Sequence, residues 1–347
     1  MPAQGVAVTD IGRQQRRASR LVGGLLLVGL LLVLVGASVG STGFDSVLNV
    51  WHDPLAWQIV WDIRLPRTLG AWAAGALLGL AGAVAQGLFR NPLADPFLLG
   101  SASGASLGVA LALVLLGVSP FAADWLVRVG LTGAAFVGAV LAVLLTLVLA
   151  RGVQHTLRLL LAGVIVGVVL GALTSLVMLM EPEVMQSMQA FMLGSTGFVG
   201  WTSWLLMVAA WVVCSVVAWV LSPVLDGLSL GEATAASLGL PLARMRVALV
   251  AVLALATGTA VAQTGLIAFV GLAAPHLVRS VTKTTHQRLI VLSSLMGGVL
   301  LMGADVLARG LMAPQELPVG VLTAVLGGGY LLWLMHRSTR STAGTGL

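Results

Sequence analysis

The side chains able to carry chemistry are few in this sequence, and their placement excludes most chemical roles. Of twelve carboxylates, Asp45, Asp53, Asp62, Asp124, Glu181, Glu183 and Glu316, together with Asp10, Asp95, Asp226 and Glu232, fall between or at the edges of apolar stretches. Only Asp305 lies within one, four residues before Arg309, the spacing of a local ion pair on a helix. A carrier driven by protons or ions needs charged groups deep in its helices, so this pattern reads against self-powered transport. The phosphate cradle G-x-x-x-x-G-K-[ST] is missing as well, because the sole lysine, Lys283, follows Thr282. The five histidines are scattered, no H-E-x-x-H occurs, and no His/Asp/Glu group has metal-ligand spacing. His276, beside Pro275, reads as a hydrogen-bonded structural histidine, and the single cysteine, Cys214, as a small buried hydrophobe. No catalytic residue, metal site or resident cofactor is expected.

The elements that hold these groups are membrane helices. The 347 residues are 59% hydrophobic and only 9% charged, against about a quarter charged in a soluble domain. Mean hydropathy is +1.05. Apolar runs of roughly the 20 residues needed to span a bilayer recur from residue 21 to residue 335. The alternating ten-residue segments of a β-barrel are absent from the sequence. The fold class expected is an all-α integral membrane protein.

Crossings are expected near 21–39, 65–88, 97–117, 129–150, 157–180, 202–222, 289–308 and 317–335. The run 247–278 is too long for one ordinary crossing and has basic residues at both ends: Arg244 and Arg246 before it, Arg279, Lys283 and Arg288 after it. With both clusters on the cytoplasmic side, the chain must turn back between them. This gives about ten transmembrane helices with both termini cytoplasmic: a basic tail over 1–20, one membrane domain over 21–336 and a short tail over 337–347. The topology leaves only Arg64, Arg67, Arg128 and Arg309 outside among eighteen basic residues. The net charge of +6 therefore reports orientation, and no nucleic-acid partner is expected. Arg13, Arg16, Arg17 and Arg20 precede an apolar run longer than a signal-peptide core, which favours a retained first helix.

Gly100, Gly104 and Gly108, and likewise Gly163, Gly167 and Gly171, form small-residue stripes that allow close helix approach. Trp51, Trp57, Trp61, Trp125, Trp201 and Trp204 fall at the proposed outer ends, as an interfacial belt would. Between two crossings, "MLMEPEVMQSMQAFM" carries Met178, Met180, Met185, Met188 and Met192, an adaptable apolar surface suited to packing or to a moving gate.

From residue 64 onward the chain resembles the FecCD-type permeases, the membrane subunits of type II ABC importers. The resemblance runs through "RLPRTLGAWAAGALLGLAGAVAQGLFRNPLADPFLLGSASGASLG" (64–108), "RLLLAGVIVG" (158–167), "LSLGEATAASLGLPLARMR" (228–246), "GLIAFVGLAAPHLVR" (265–279) and "GADVLARGLMAPQELPVGVLTAVLGG" (303–328). It implies ten helices per subunit in the bacterial inner membrane and a homodimer with the pathway on its two-fold axis. Two copies of a cytoplasmic ATPase would bind ATP and Mg, and a periplasmic binding protein would deliver haem, a ferric siderophore or cobalamin. Haem is preferred because "QGLFRNPLADP" and the methionine-rich segment look most like haem permeases. The resemblance also implies that Arg64, Arg67 and Arg309 dock the binding protein. Residues 225–246 would be a coupling element of two short helices, with Leu230, Gly231, Glu232, Ala235, Leu238, Gly239, Leu240 and Pro241 facing the ATPase.

Overall fold

The structure, a computed structural model, describes residues 3–40, 43–44, 54–116, 125–150, 156–237 and 241–343. The chain opens with α1 (Ala3–Ser38), a pair of two-residue antiparallel strands, β1 (Val39–Gly40) and β2 (Gly43–Phe44), and α2 (Pro54–Ile59). A π-helical turn over Val60–Arg64 leads into α3 (Leu65–Phe89), and a 3-10 turn over Pro96–Leu99 into α4 (Ser101–Leu116). There follow α5 (Trp125–Leu149), α6 (Thr156–Met180), the short α7 (Pro182–Leu193), α8 (Trp201–Ser229) and the short α9 (Glu232–Ser237). Next come α10 (Leu242–Thr264), α11 (Val270–Val281), α12 (His286–Gly310) and α13 (Val319–Ala343).

Among the described residues, seven helices are long and apolar enough to cross a membrane: α1, α3, α5, α6, α8, α10 and α12. The shorter apolar α4 and α13 and the broken α11 bring the bundle to the expected ten. The run 247–278 divides where it must, with Gly265 at φ +69° and Phe269 at φ +68° turning the chain between α10 and α11. At twelve residues α11 is about 18 Å long, roughly half a bilayer. The even count leaves the ends of α1 and α13 on one face. That face also carries α9 and the arginines of α1, and is called the basic face below.

α1 differs from the expectation. Its helix continues through the basic tail, so 36 residues span about 54 Å, well beyond the hydrocarbon layer. No proline interrupts residues 3–38, and the four arginines of the tail are good helix formers.

α3 is the hub. Its apolar window is 89% buried, against 22% for those of α1, α6 and α8. Small residues make this possible: a Cβ on Gly75 would stand 2.2 Å from the Gly297 carbonyl oxygen, so α12 lies directly on α3. The first glycine stripe works the same way, with Gly104 and Gly108 packed on Gly138 and Ala134 of α5. The second does so only at Gly163, against Leu98; nothing lies within 4 Å of a Cβ on Gly171. Polar side chains stitch the same contacts. Trp211 Nε1 donates to Ser294 Oγ at 2.6 Å, Ser294 Oγ to the Ala76 carbonyl at 3.0 Å, and Thr146 Oγ1 to the Leu99 carbonyl at 3.0 Å. Of the tryptophans, Trp57, Trp61, Trp201 and Trp204 form one chain of ring contacts opposite the basic face, centroids 5.2 to 5.9 Å apart. Trp51 lies outside the described residues.

Candidate functional site

Three groups of residues stand out: one on each face and one at the segment around α7. Opposite the basic face, Arg64 closes the π-helical turn, Arg67 lies in the first turn of α3 and Arg309 in the last turn of α12. All three are buried, at 7%, 8% and 1% exposure. Although Arg64 and Arg67 are three residues apart, they reach different neighbours, because α3 is flanked on two sides. Arg64 Nη1 donates to the carbonyls of Ala37 and Ser38 at 3.3 Å each. Arg67 Nε donates to Asp305 Oδ1 at 3.1 Å, and its Nη1 to Glu316 Oε2 at 2.8 Å. Arg309 binds the Gly36 carbonyl at 2.9 Å, Thr68 Oγ1 at 3.0 Å and the second oxygen of Asp305. Thr196 Oγ1 donates to Asp305 as well.

The local Asp305–Arg309 pair was readable from spacing; the network was not. Asp305 is fully buried between two guanidinium groups, and the carbonyls at the end of α1 supply further negative charge where a helix dipole has its negative pole. Thr68, Thr196 and Glu316 carry no motif, and their sequence separations from their partners gave no signal. Glu316 is the outermost member, with its side chain 32% exposed.

On the basic face the stretch 225–246 departs from two short helices. Leu225–Ser229 prolongs α8, with Pro223 inside that helix. Gly231, at φ +108°, then turns the chain into α9. The residues after Pro241 belong to α10, because nothing breaks the helix between Leu242 and Val247. Within the described residues the element is thus a single short helix; Leu238, Gly239 and Leu240 lie outside them. Glu232, in the first turn of α9, accepts from Arg246 Nη2 at 2.7 Å and stands 3.6 Å from Arg90 Nη2. This one carboxylate ties α9 to the start of α10 and the end of α3. Ala235 is fully buried under α9, whereas Leu230 is 67% exposed. Nearby, Asp226 Oδ1 accepts from His286 N at 3.0 Å and lies 2.7 Å from its Nδ1, and Gln86 joins Arg279 to the Leu272 carbonyl. The sequence "RNPLADP" forms a capped turn: Arg90 is left-handed at φ 51°, Asn91 Oδ1 accepts from Leu93 N at 2.9 Å, and Asp95 Oδ1 from Phe97 N at 2.8 Å. Burial raises the Asp95 carboxyl above its ordinary value, and the Phe97 hydrogen bond offsets part of this.

The methionine-rich segment separates into two sets. Met188 is fully buried against α4 and α5, and Met178 packs partly on the same cluster, while Met180, Met185 and Met192 are exposed. At its end α7 meets the α10–α11 turn and the start of α13 backbone to backbone. Leu266 N donates to the Phe191 carbonyl at 3.1 Å, Ser195 N to the Thr264 carbonyl at 2.8 Å, and Gly320 N to the Gly194 carbonyl at 3.4 Å. A Cβ on Gly194, Gly265 or Gly320 would come within 2.2 to 2.3 Å of a carbonyl oxygen. Beside this junction a cleft of about 140 Å³ is lined by Thr132, Ser187, Phe191, Ser195 and Gln263, among others.

Compared with known proteins, the chain matches the FecCD transport family over residues 25–337. It is similar to the vitamin B12 import system permease protein BtuC of Salmonella paratyphi A, 39% identical over 339 residues covering 96% of this chain and 100% of that protein. The BtuC protein of Shigella boydii serotype 18 is 38% identical over 334 residues, 94% of this chain and 98% of its own. A solved structure described as an inward-facing conformation of a metal-chelate type ABC transporter superposes with a TM-score of 0.82 at 29% identity, covering 92% of this chain and 99% of that one. PsaBC from Streptococcus pneumoniae, in complex with a Fab, shares the fold at a TM-score of 0.56 and 17% identity, over 82% of this chain and 92% of that one. The chain belongs to the FecCD transport family and is a membrane permease subunit of an ABC importer, not an enzyme.

Proposed function

We propose that this permease carries a corrinoid, cobalamin, across the bacterial inner membrane from periplasm to cytoplasm. The observation that carries the reading is the 39% identity to a vitamin B12 import permease over 96% of this chain and the whole of that one. The sequence preference for haem gives way to it.

In this reading the basic face is cytoplasmic, as the charge distribution favours. Two copies of the chain pair in the membrane, and two copies of an ATPase, with ATP and Mg, press on α9. Leu230, Gly231, Glu232, Ala235 and Pro241 form or support that contact, with Leu238, Gly239 and Leu240 completing it. The exposed Met180, Met185 and Met192 border the pathway, while Met178 and Met188 anchor α7. A periplasmic binding protein docks over Arg64, Arg67 and Arg309. Because these arginines already have internal partners, an incoming carboxylate would reach Arg67 by displacing the partly exposed Glu316.

The test is ATP-dependent uptake into liposomes holding the permease with its ATPase and binding protein. Cobalamin should be taken up and compete out haem and a ferric siderophore. Uptake of haem or siderophore with none of cobalamin would overturn the substrate; uptake without the ATPase would overturn the class.

A further inference from the structure

On the basic face, the arginine-bearing part of α1 and the first turns of α12 enclose a cleft with two unlike ends. The outer end, about 660 Å³, is polar: Gln14 and Gln15 of α1 face Lys283, Thr285 and Arg288. Among the described residues Asp226 is the only carboxylate that lines it, and that group is engaged by both the backbone N–H and the ring of His286. The inner end, about 490 Å³, shares Gln15 and Arg288 and is otherwise mostly apolar, walled by Ala18, Val22, Trp219, Val291 and Leu292. Both volumes fall within the range of small-molecule sites. Lys283 and Arg288 are exposed, as are Arg13, Arg16, Arg17 and Arg20 along the adjoining helix. The cleft is thus cationic at its mouth, and apolar where it enters the membrane-spanning parts of α1, α8 and α12.

We propose that this cleft binds an anionic phospholipid from the adjoining leaflet. Its phosphate is held by Lys283, Arg288 and Gln15, and an acyl chain lies along Val22, Trp219 and Leu292. Charge complementarity calls for an anion, and basic groups between helices at the membrane surface attract anionic headgroups. The apolar end decides between a lipid and a protein partner. It lies at the level of the spanning helices, where an acyl chain has access and a water-soluble subunit does not. A tryptophan at such a boundary suits a site that is apolar at one end and wet at the other.

Native mass spectrometry of the purified full chain, titrated with phosphatidylglycerol and with phosphatidylcholine of the same acyl chains, tests the site. One phosphatidylglycerol per chain should be retained in preference to phosphatidylcholine. Lys283→Glu with Arg288→Glu should weaken phosphatidylglycerol binding about thirtyfold or more and leave phosphatidylcholine unchanged. Val22→Trp should also release phosphatidylglycerol, by filling the acyl slot with no change of charge. Equal retention of the two lipids, or phosphatidylglycerol adducts that survive both variants, would overturn the proposal. So would a charge-reversed variant that loses its ATPase while keeping its lipid, which would mark the face as a protein contact.

Discussion

The buried carboxylate of Asp305 in α12 accepts the Nε of Arg67 in α3 at 3.1 Å, across 238 residues of sequence. With Arg309 on its other oxygen, Asp305 holds together the two most intimately packed helices of the bundle at their ends opposite the basic face. Removing one member of a buried ionic group costs about 3 to 5 kcal/mol, because the remaining charges stay desolvated. Asp305→Ala should therefore lower the unfolding temperature in detergent far more than a surface substitution. A double change, Asp305→Leu with Arg309→Met, should cost less than the sum of the singles, and additive losses would show that the pair is not coupled.

The binding-protein contact can be probed with less damage to the fold at Glu316, because its side chain is partly exposed. Glu316→Gln should leave unfolding unchanged within about 0.5 kcal/mol. It should also alter binding-protein stimulation of the ATPase severalfold while basal hydrolysis persists. Arg67→Glu should abolish stimulation and also destabilise the chain, since it would set one acid against both Asp305 and Glu316. Unchanged stimulation in both variants would remove this face from the docking surface.

Glu232 gives a matching test on the basic face. Glu232→Ala removes the carboxylate shared by Arg246 and Arg90 and should cut uptake per ATP hydrolysed by about tenfold, with the protein still folded. Gly231→Ala forces a side chain into φ +108°, at a cost of about 1 to 3 kcal/mol, and should misdirect α9 in the same sense. The readout is the ratio of uptake to hydrolysis in liposomes, not either rate alone.

At the three-way glycine junction, Gly194→Ala would bring a Cβ within 2.3 Å of the Leu266 carbonyl oxygen at a residue with φ +69°. We expect a loss of about 1 to 3 kcal/mol and a larger loss of uptake, since α7, the α10–α11 turn and α13 can no longer meet in this geometry. Gly171→Ala, with nothing within 4 Å, is the matched control and should be silent in both assays.

Asp95 sets a pH dependence. Its carboxyl is raised above the ordinary 3.8, so burial disfavours the ionised form. The native state consequently loses stability as pH climbs from that ordinary value through the raised one, and stays lower above it. Asn caps as well as Asp, so Asp95→Asn should unfold at a higher temperature than the parent at pH 7, with the gap closing below about pH 4. A gap independent of pH would assign the effect to the cap instead.

By itself, the sequence determined the class of molecule and where its apolar segments fall. Apolar run length, the basic clusters around 247–278 and the first glycine stripe act locally, through hydrophobic transfer and small-residue packing. The ten segments, the break before α11 and a close-packing stripe on α4 were therefore legible before any coordinates, though not that α5 is the helix packed on it. The Asp305–Arg309 pair belongs to the same class, being one helical turn long. Only the tertiary structure decided what the arginines opposite the basic face do, because Arg67, Thr68 and Thr196 meet Asp305 and Arg309 by tertiary packing across 109 to 241 residues. No periodicity encodes that meeting. The same holds for the Glu232 bridge, for the division of the methionines into buried and exposed, and for the cleft between α1 and α12. Each depends on which faces of distant helices are pressed together, a choice set by the sum of packing over the whole bundle.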